Sequence, residues 1–189
     1  KEEQEVVASL APSYVSEFPD WTSKQLIAGL HKLGFKHVSE TALGAEVVSA
    51  AVEKWLEKHP KGAFISSCCP TVVDLIHRYF PKLKKHITPI TTPMLAHGNV
   101  LKERLGKDTK VVFIGPCIAK KKEAEKNPGA IDAVITFKKI KQWFTKEGID
   151  NNSISAQNES FFPQSSYTGS MYPIDGGMLT SLNQQIGVT

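Results

Sequence analysis

The chain has 189 residues, enough for one α/β domain or two joined lobes with a substantial core. Hydrophobic residues make up 41% and charged residues 22% of the sequence, which is typical of a globular protein and excludes a disordered chain or a coiled coil. No apolar run approaches the ~20 residues that a membrane-spanning helix needs, so we expect no membrane partner. The net charge of +4 comes mainly from dispersed lysines, and arginine occurs only at Arg78 and Arg104, which argues against a nucleic-acid partner.

The cysteine content and the two ends of the sequence bear on where the protein works. Three cysteines are too few for a disulfide scaffold, and the start KEEQEVVASL lacks the basic and apolar regions of a secretory signal. We therefore expect a reducing, cytoplasmic location. The absence of an initiating methionine and the end at QQIGVT favour a piece of a longer protein.

Short β-branched runs alternate with amphipathic stretches along the chain. The pattern predicts strands at 5–12, 36–41, 62–67, 109–115 and 132–136. It predicts helices at 22–34, 45–58, 71–83, 94–105, 119–127, 138–148 and 178–185. The polar segment 151–177 is expected to form a long ordered loop or a flap. Strands separated by helices indicate right-handed βαβ units, a mainly parallel sheet and an α/β fold.

Three loops that follow predicted strands carry the reactive side chains: APS (11–13), SSCCP (66–70) and GPCIAKKKE (115–123). Because ligands of parallel sheets bind at the carboxyl ends of the strands, we expect these loops to converge. In SSCCP, Cys68 and Cys69 stand at the predicted start of a helix, where backbone amides favour a thiolate. Adjacent residues of an extended segment point in opposite directions, so one thiolate can bind a cluster while the other faces a channel or a substrate. The alternative is a pair of buried thiols that pack as small hydrophobic groups.

GPCIAKKKE repeats this arrangement with a different set of side chains. Lys120 and Glu123 lie three and six positions after Cys117, so a helix places them on one face near the thiol. A lysine there supplies a positive charge to an anionic ligand. Lys121 and Lys122 are instead expected to belong to a solvated charged face.

The sequence gives less support to three other kinds of site. A zinc site needs closely spaced cysteines or histidines, and His77, His86 and His97 are more typical of surface or core histidines. A cysteine–histidine nucleophile pair lacks a supporting elbow motif. The pair Gly176-Gly177 lacks the spacing of a phosphate-binding loop.

Taken together, these motifs resemble the catalytic domain of the iron-only ([FeFe]) hydrogenases. The resemblance is carried by APS (11–13), SSCCP (66–70) and PCIAKKKE (116–123), in that order. It extends through PDWTSKQLIAGLHKLGFKHVSETALGAE, TTPM, DAVIT and YPIDGGMLTSL, over nearly the whole chain. It implies a two-lobed α/β fold with mainly parallel sheets flanked by helices. The first lobe would span 1–108 and the second 109–189, with the motif loops meeting in the cleft.

The resemblance also implies roles for individual residues. Cys69 and Cys117 would bind the [4Fe–4S] part of the H-cluster, and Cys68 would be the free thiol that passes protons to the di-iron subsite. Lys120 would hydrogen-bond a cyanide ligand on iron, with Glu123 as its partner. These roles agree with the preference of soft iron for thiolates and of cyanide for a cationic donor.

The loop formed by Ala11, Pro12 and Ser13 would lie beside the di-iron subsite, where backbone N–H groups and a hydroxyl meet anionic ligands. The whole protein would oxidise H₂ and reduce protons reversibly in an anaerobic cell, with a ferredoxin-like domain or protein as electron partner.

Three departures from the family pattern bear on catalysis. The family takes its two remaining cluster cysteines from a later motif that this sequence does not contain, so we expect the fragment alone to hold no complete H-cluster. Gly115 stands where catalytic members usually carry methionine. Val52 and Trp55 stand where typical enzymes carry the carboxylates of the proton path, although Glu53 could partly substitute. Two alternatives therefore stay open: a weakly catalytic or non-catalytic H₂ or redox sensor coupled to a PAS or other signalling domain, and a cluster-assembly protein.

Overall fold

The computed structural model describes residues 5–163 and Met178. Four strands form one parallel sheet: β1 (Val6–Leu10), β2 (His37–Glu40), β3 (Lys110–Gly115) and β4 (Ala133–Thr136). The strand order is β2-β1-β3-β4, so β1 and β3 are central. Their nearly continuous apolar sequences suit strands that are covered on both faces. The α/β fold with a parallel sheet, predicted from the alternation of elements, is confirmed.

Seven α-helices and one 3-10 helix connect and flank the strands of the described chain. The α-helices are α1 (Tyr14–Glu17), α2 (Ser23–Lys32), α3 (Ala42–Lys58), α4 (Pro70–Tyr79), α5 (Pro93–Leu105), α6 (Ala119–Lys126) and α7 (Phe137–Lys146). The 3-10 helix, Pro81–His86, follows α4 at the proline that was expected to end the regular turns. Thr22 caps α2: its hydroxyl accepts a hydrogen bond from Gln25 N, and the Gln25 side chain accepts one from Thr22 N. None of the helices in this part of the chain has the length and apolar character needed to cross a membrane.

The core lies between the sheet and its helices. Leu10 and Ile114, on the two central strands, are almost fully buried with Leu26 of α2 and Phe137 of α7. Polar side chains are buried there as well: His97 of α5 has no exposed surface, and neither have Ser9 and Ser39, which it contacts. His97 is therefore a core histidine, as expected.

The predicted strand at 62–67 is wrong. In this segment only Ile65 forms a bridge, to Ile87, and the segment joins no strand of the sheet. The bridge uses the hydrogen bonds Ile65 N to His86 O (2.8 Å) and Thr88 N to Ile65 O (2.9 Å). The SSCCP loop is therefore held by a local pairing with the residues after the 3-10 helix, rather than by the carboxyl end of a sheet strand.

Strands from both sides of the predicted lobe boundary, between residues 108 and 109, belong to one sheet, and the division into two lobes stays a prediction. β1 precedes this boundary and β3 follows it, and these strands pair along their whole length from Val6–Lys110 to Leu10–Ile114. The strands on both sides of the boundary thus share one sheet and one core.

The first part of the predicted loop at 151–177 is well anchored. Phe162 N donates to Val38 O of β2 (2.8 Å), and the Phe162 ring stacks on His37 with centroids 4.6 Å apart. Gln25 Nε2 donates to Asn151 O (2.7 Å). Residues 164–177, and the predicted helix 178–185 apart from Met178, lie outside the described residues.

Candidate functional site

The APS loop leaves the carboxyl end of β1 and is tied to the neighbouring central strand. Ala11 N donates to Ile114 O of β3 (2.8 Å), and Ala11 is buried. Pro12 and Ser13 are half-buried and lead into α1. Ser13 uses its carbonyl to accept a hydrogen bond from Ser16 Oγ (2.9 Å), and its own hydroxyl makes no capping bond.

The two adjacent cysteines have different surroundings. Cys69 is exposed and stands in extended conformation as the N-cap of α4, whose first residue is Pro70. Cys68 is half-buried, and its Sγ lies 2.6 Å from Ser66 Oγ. The two neighbouring thiols therefore differ in exposure, and their division into a cluster ligand and a thiol facing a channel stays a prediction.

Cys117, Lys120 and Glu123 lie just after β3, as the sequence predicts. Cys117 is half-buried, and its carbonyl accepts a hydrogen bond from Lys120 N (3.3 Å) at the start of α6. Lys120 Nζ lies 2.7 Å from Glu123 Oε2, and both side chains are largely buried. Lys120 Nζ also donates to Cys68 O (3.4 Å), so this lysine connects the second and third motif loops.

A cavity of about 500 Å³ brings parts of the three motif loops together. Ala11, Cys68, Cys69 and Lys120 all line it. The cavity wall does not include four other predicted site residues: Pro12, Ser13, Cys117 and Glu123. Glu123 does not line the cavity, but it forms an ion pair with Lys120, which does.

Sequence reasoning missed most of the cavity wall. The additional lining residues are Thr41, Ile65, Ser66, Val72, Pro93, Met94, Phe113 and Met178. Seven of the twelve lining residues are apolar, so the cavity is a mainly hydrophobic environment for its few polar groups. The only available signal for Ser66, Met94 and Met178 was their occurrence inside the SSCCP, TTPM and GGM segments.

A hydrogen-bonded chain runs from the cavity into the core. Thr41, which lines the cavity, has its Oγ1 2.9 Å from Ser9 Oγ, and Ser9 Oγ lies 2.7 Å from His97 Nδ1. His97 Nε2 lies 2.9 Å from Ser39 Oγ. Burial lowers the pKa of His97 to about 3, so the imidazole is neutral, with one donor and one acceptor nitrogen for the two serines.

The tyrosine that follows the APS loop is held in its neutral form. Burial raises the pKa of Tyr14 to about 12, and the negative charge of Glu40 acts in the same direction. The phenol therefore stays protonated at physiological pH and carries no charge toward the neighbouring loop.

The donor atoms near the cavity limit what it can hold. No group of three or more His, Cys, Asp or Glu side chains is placed to hold a metal ion among residues 5–163 and Met178. All three cysteines are free thiols, and two of them line the cavity. The site thus offers thiol donors, one buried cationic donor and an apolar wall, a combination that fits part of a soft, anionic metal group.

Comparison with known proteins gives a consistent family. The family described as "Iron only hydrogenase large subunit, C-terminal domain" matches residues 4–187 of the chain. The periplasmic [Fe] hydrogenase large subunit of Nitratidesulfovibrio vulgaris is 31% identical over 179 residues, which cover 84% of this chain and 42% of that subunit. The cytosolic Fe-S cluster assembly factor nar1 of Aspergillus terreus is 26% identical over 204 residues, which cover 82% of this chain and 34% of that protein.

Solved structures agree on the fold. A variant of the [FeFe]-hydrogenase HydA1 from Chlamydomonas reinhardtii matches with a TM-score of 0.76 at 21% identity, covering 96% of this chain and 54% of that one. At this identity the likeness establishes the architecture alone. The chain spans less than half the length of both curated relatives and about half of the solved one.

Proposed function

The chain belongs to the iron-only hydrogenase large-subunit family, and we propose that it forms part of an H-cluster domain for reversible H₂ oxidation and proton reduction. One observation carries this proposal. Cys68, Cys69 and Lys120 come from two motif loops 52 residues apart and line one mainly apolar cavity. When bound, the H-cluster would supply the redox chemistry, with electrons exchanged through a ferredoxin-like domain or protein.

The thiols fit one part of the cluster. A [4Fe–4S] unit takes four thiolates, and this sequence contains three cysteines. We propose that Cys69 and Cys117 provide two of the four, and that the remaining ligands come from residues outside these 189. The isolated chain should then fold without a complete H-cluster and evolve no measurable H₂.

The remaining residues act on charge and protons. Lys120, oriented by its ion pair with Glu123, would donate a hydrogen bond to an anionic cyanide ligand. Cys68, enclosed beside Ser66, would hold a proton at Sγ and pass it on. The buried Ala11 would form part of the cavity wall on the β1 side. The role that the resemblance gives Pro12 and Ser13 beside the di-iron subsite stays a prediction, because neither residue lines the cavity.

The test distinguishes the roles of the two neighbouring cysteines by substituting each of them in the anaerobically matured full-length protein. Cys69→Ser should lose most of the cluster iron, because a hydroxyl is a hard and poor ligand for iron. Cys68→Ser should keep its iron and slow H₂ uptake, because a hydroxyl exchanges protons poorly at neutral pH. Iron quantification and H₂ uptake on both variants measure this. Equal loss of iron in both would contradict the assignment.

A second candidate is an H₂ or redox sensor of low turnover, coupled to a PAS or other signalling domain. It is supported by the surroundings of Val52. This residue stands where typical enzymes of the family carry a carboxylate of the proton path. Val52 is buried with Val48 and Ala96, and Met178 packs against this cluster. An apolar cluster at this position would slow proton delivery. Unchanged gas uptake in Cys68→Ser with full iron content would favour the sensor.

The cytoplasmic location stays a prediction, since one relative is named as periplasmic and another as cytosolic. The likeness to a protein named as a cluster assembly factor keeps a role in cluster assembly as a third possibility. If the full-length protein keeps a stable cluster and takes up H₂, a role in cluster assembly is contradicted.

A further inference from the structure

The cavity wall is rich in sulfur-containing side chains. Cys68, Cys69, Met94 and Met178 all contribute to its wall, although the whole sequence has only three cysteines and three methionines. We call this set the sulfur cavity. Met94 is almost fully buried, Cys68 is half-buried and Cys69 is exposed, so the donors extend from the interior to the surface.

Two of the four sulfur atoms already converge. Cys68 Sγ lies 3.3 Å from Met178 Sδ, and the two residues are 110 positions apart in the chain. Ser66 Oγ lies 2.6 Å from the thiol sulfur and 3.2 Å from the thioether sulfur. The fold thus holds a thiol and a thioether side by side, and the next residue, Cys69, provides a second thiol at the same cavity.

The character of these donors selects the ion. Thiolate and thioether sulfur are soft ligands for Cu(I), Zn²⁺ and iron–sulfur clusters, whereas Mg²⁺, Ca²⁺ and Mn²⁺ need carboxylate, carbonyl or water oxygens. Two thiolates and a thioether fall short of the four thiolate or imidazole ligands of a structural Zn²⁺ site, which favours Cu(I) for this set. In the described part of the chain, no group of three or more His, Cys, Asp or Glu side chains is placed to hold a metal ion. The mainly apolar wall also disfavours a strongly hydrated ion.

We propose that the sulfur cavity of the cluster-free chain binds one Cu(I) ion through Cys68, Cys69 and Met178. Each cysteine that binds loses its thiol proton to the solvent, the thioether binds without losing a proton, and copper stays in the Cu(I) state. Lys120 Nζ donates to Cys68 O (3.4 Å) and so ties the backbone beside these thiols to α6. Binding itself does not depend on the hydrogenase assignment. If Cys69 is also a cluster ligand, Cu(I) would block cluster insertion.

The test uses the 189-residue chain, reduced and free of metal, under anaerobic conditions. Cu(I) is added as its acetonitrile complex in competition with bathocuproine disulfonate, and native mass spectrometry gives the stoichiometry. We expect one Cu(I) per chain and only sulfur neighbours in the X-ray absorption spectrum. Cys68→Ser and Cys69→Ser should each weaken binding by roughly a hundredfold, because a hydroxyl replaces a soft thiolate.

Two further variants make the test specific. Met178→Leu keeps the apolar volume and should weaken binding by roughly tenfold, with one sulfur neighbour fewer in the absorption spectrum. His77→Gln is the control, because His77 is an exposed histidine of α4 that does not line the cavity, and this variant should bind Cu(I) as the unmodified chain does. Circular dichroism checks that each variant is folded. Undiminished copper binding in Cys68→Ser, or Zn²⁺ binding of equal strength through the same residues, would overturn the proposal.

Discussion

The Lys120–Glu123 ion pair is the residue-scale feature with the clearest energetic consequence. Its side chains are 13% and 7% exposed, with Nζ and Oε2 2.7 Å apart. Removing one partner of a buried pair leaves the other charge desolvated without compensation. Glu123→Gln should therefore lower the free energy of unfolding by about 3 kcal/mol, measured by urea unfolding.

A double variant distinguishes this explanation from simple loss of packing. Adding Lys120→Met to Glu123→Gln removes the remaining buried charge, so the double variant should be more stable than Glu123→Gln alone. Asp74→Asn is the exposed counterpart, since it breaks the surface pair with Lys122 and should change stability little. A double variant no more stable than Glu123→Gln would contradict the argument.

At the scale of elements, the contact of α3 with α5 depends on a glycine. A Cβ atom at Gly44 would lie 2.2 Å from Pro93 O and 2.7 Å from His97 Cβ. A backbone oxygen cannot rotate away, so the two helices would have to separate. Gly44→Ala should lower the free energy of unfolding by about 2 kcal/mol, measured by urea unfolding. Glu57→Ala, at an exposed position of the same helix, should leave it nearly unchanged, and an equal loss in both variants would refute the packing argument.

The one predicted strand that the structure overturns failed for a physical reason. Helix α2 is predictable from its own residues, because Thr22 and Gln25 cap its start and its apolar residues recur at helical spacing. A strand exists only if a distant segment pairs with it, and the 62–67 segment finds Ile87 rather than the sheet. Periodicity within six residues carries no information about that choice of partner.

At the scale of the whole molecule, the motifs were predictable from local sequence, whereas the cavity depends on contacts between distant segments. The thiols of SSCCP and the Lys120–Glu123 pair were predictable because their spacing lies within one segment. Thr41, Met94 and Phe113 were not, because the sheet order and the packing of α3 and α5 place them in the cavity wall. The sequence alone therefore points to the reactive groups of the site without defining its shape.

The buried His97 connects the central sheet to α5 and makes the stability of the whole molecule depend on pH. Burial lowers its pKa from 6.5 to about 3, so between these values the unfolded chain binds a proton that the folded chain excludes. Stability attributable to His97 is thus complete above pH 6.5 and is lost as the pH falls toward 3. The slope approaches about 1.4 kcal/mol per pH unit.

His97→Gln keeps hydrogen-bonding groups near Ser9 and Ser39 but cannot take up this proton. The variant should be less stable at pH 7, and its free energy of unfolding should fall less steeply than that of the unmodified chain between pH 6.5 and 5. Other groups with shifted values, such as Asp132, are common to both proteins and cancel in the difference. Leu101→Ala, a buried substitution on the same helix, should lower stability by about 3 kcal/mol while keeping the original slope. Parallel curves for His97→Gln and the unmodified chain would show that protonation of His97 does not drive acid unfolding.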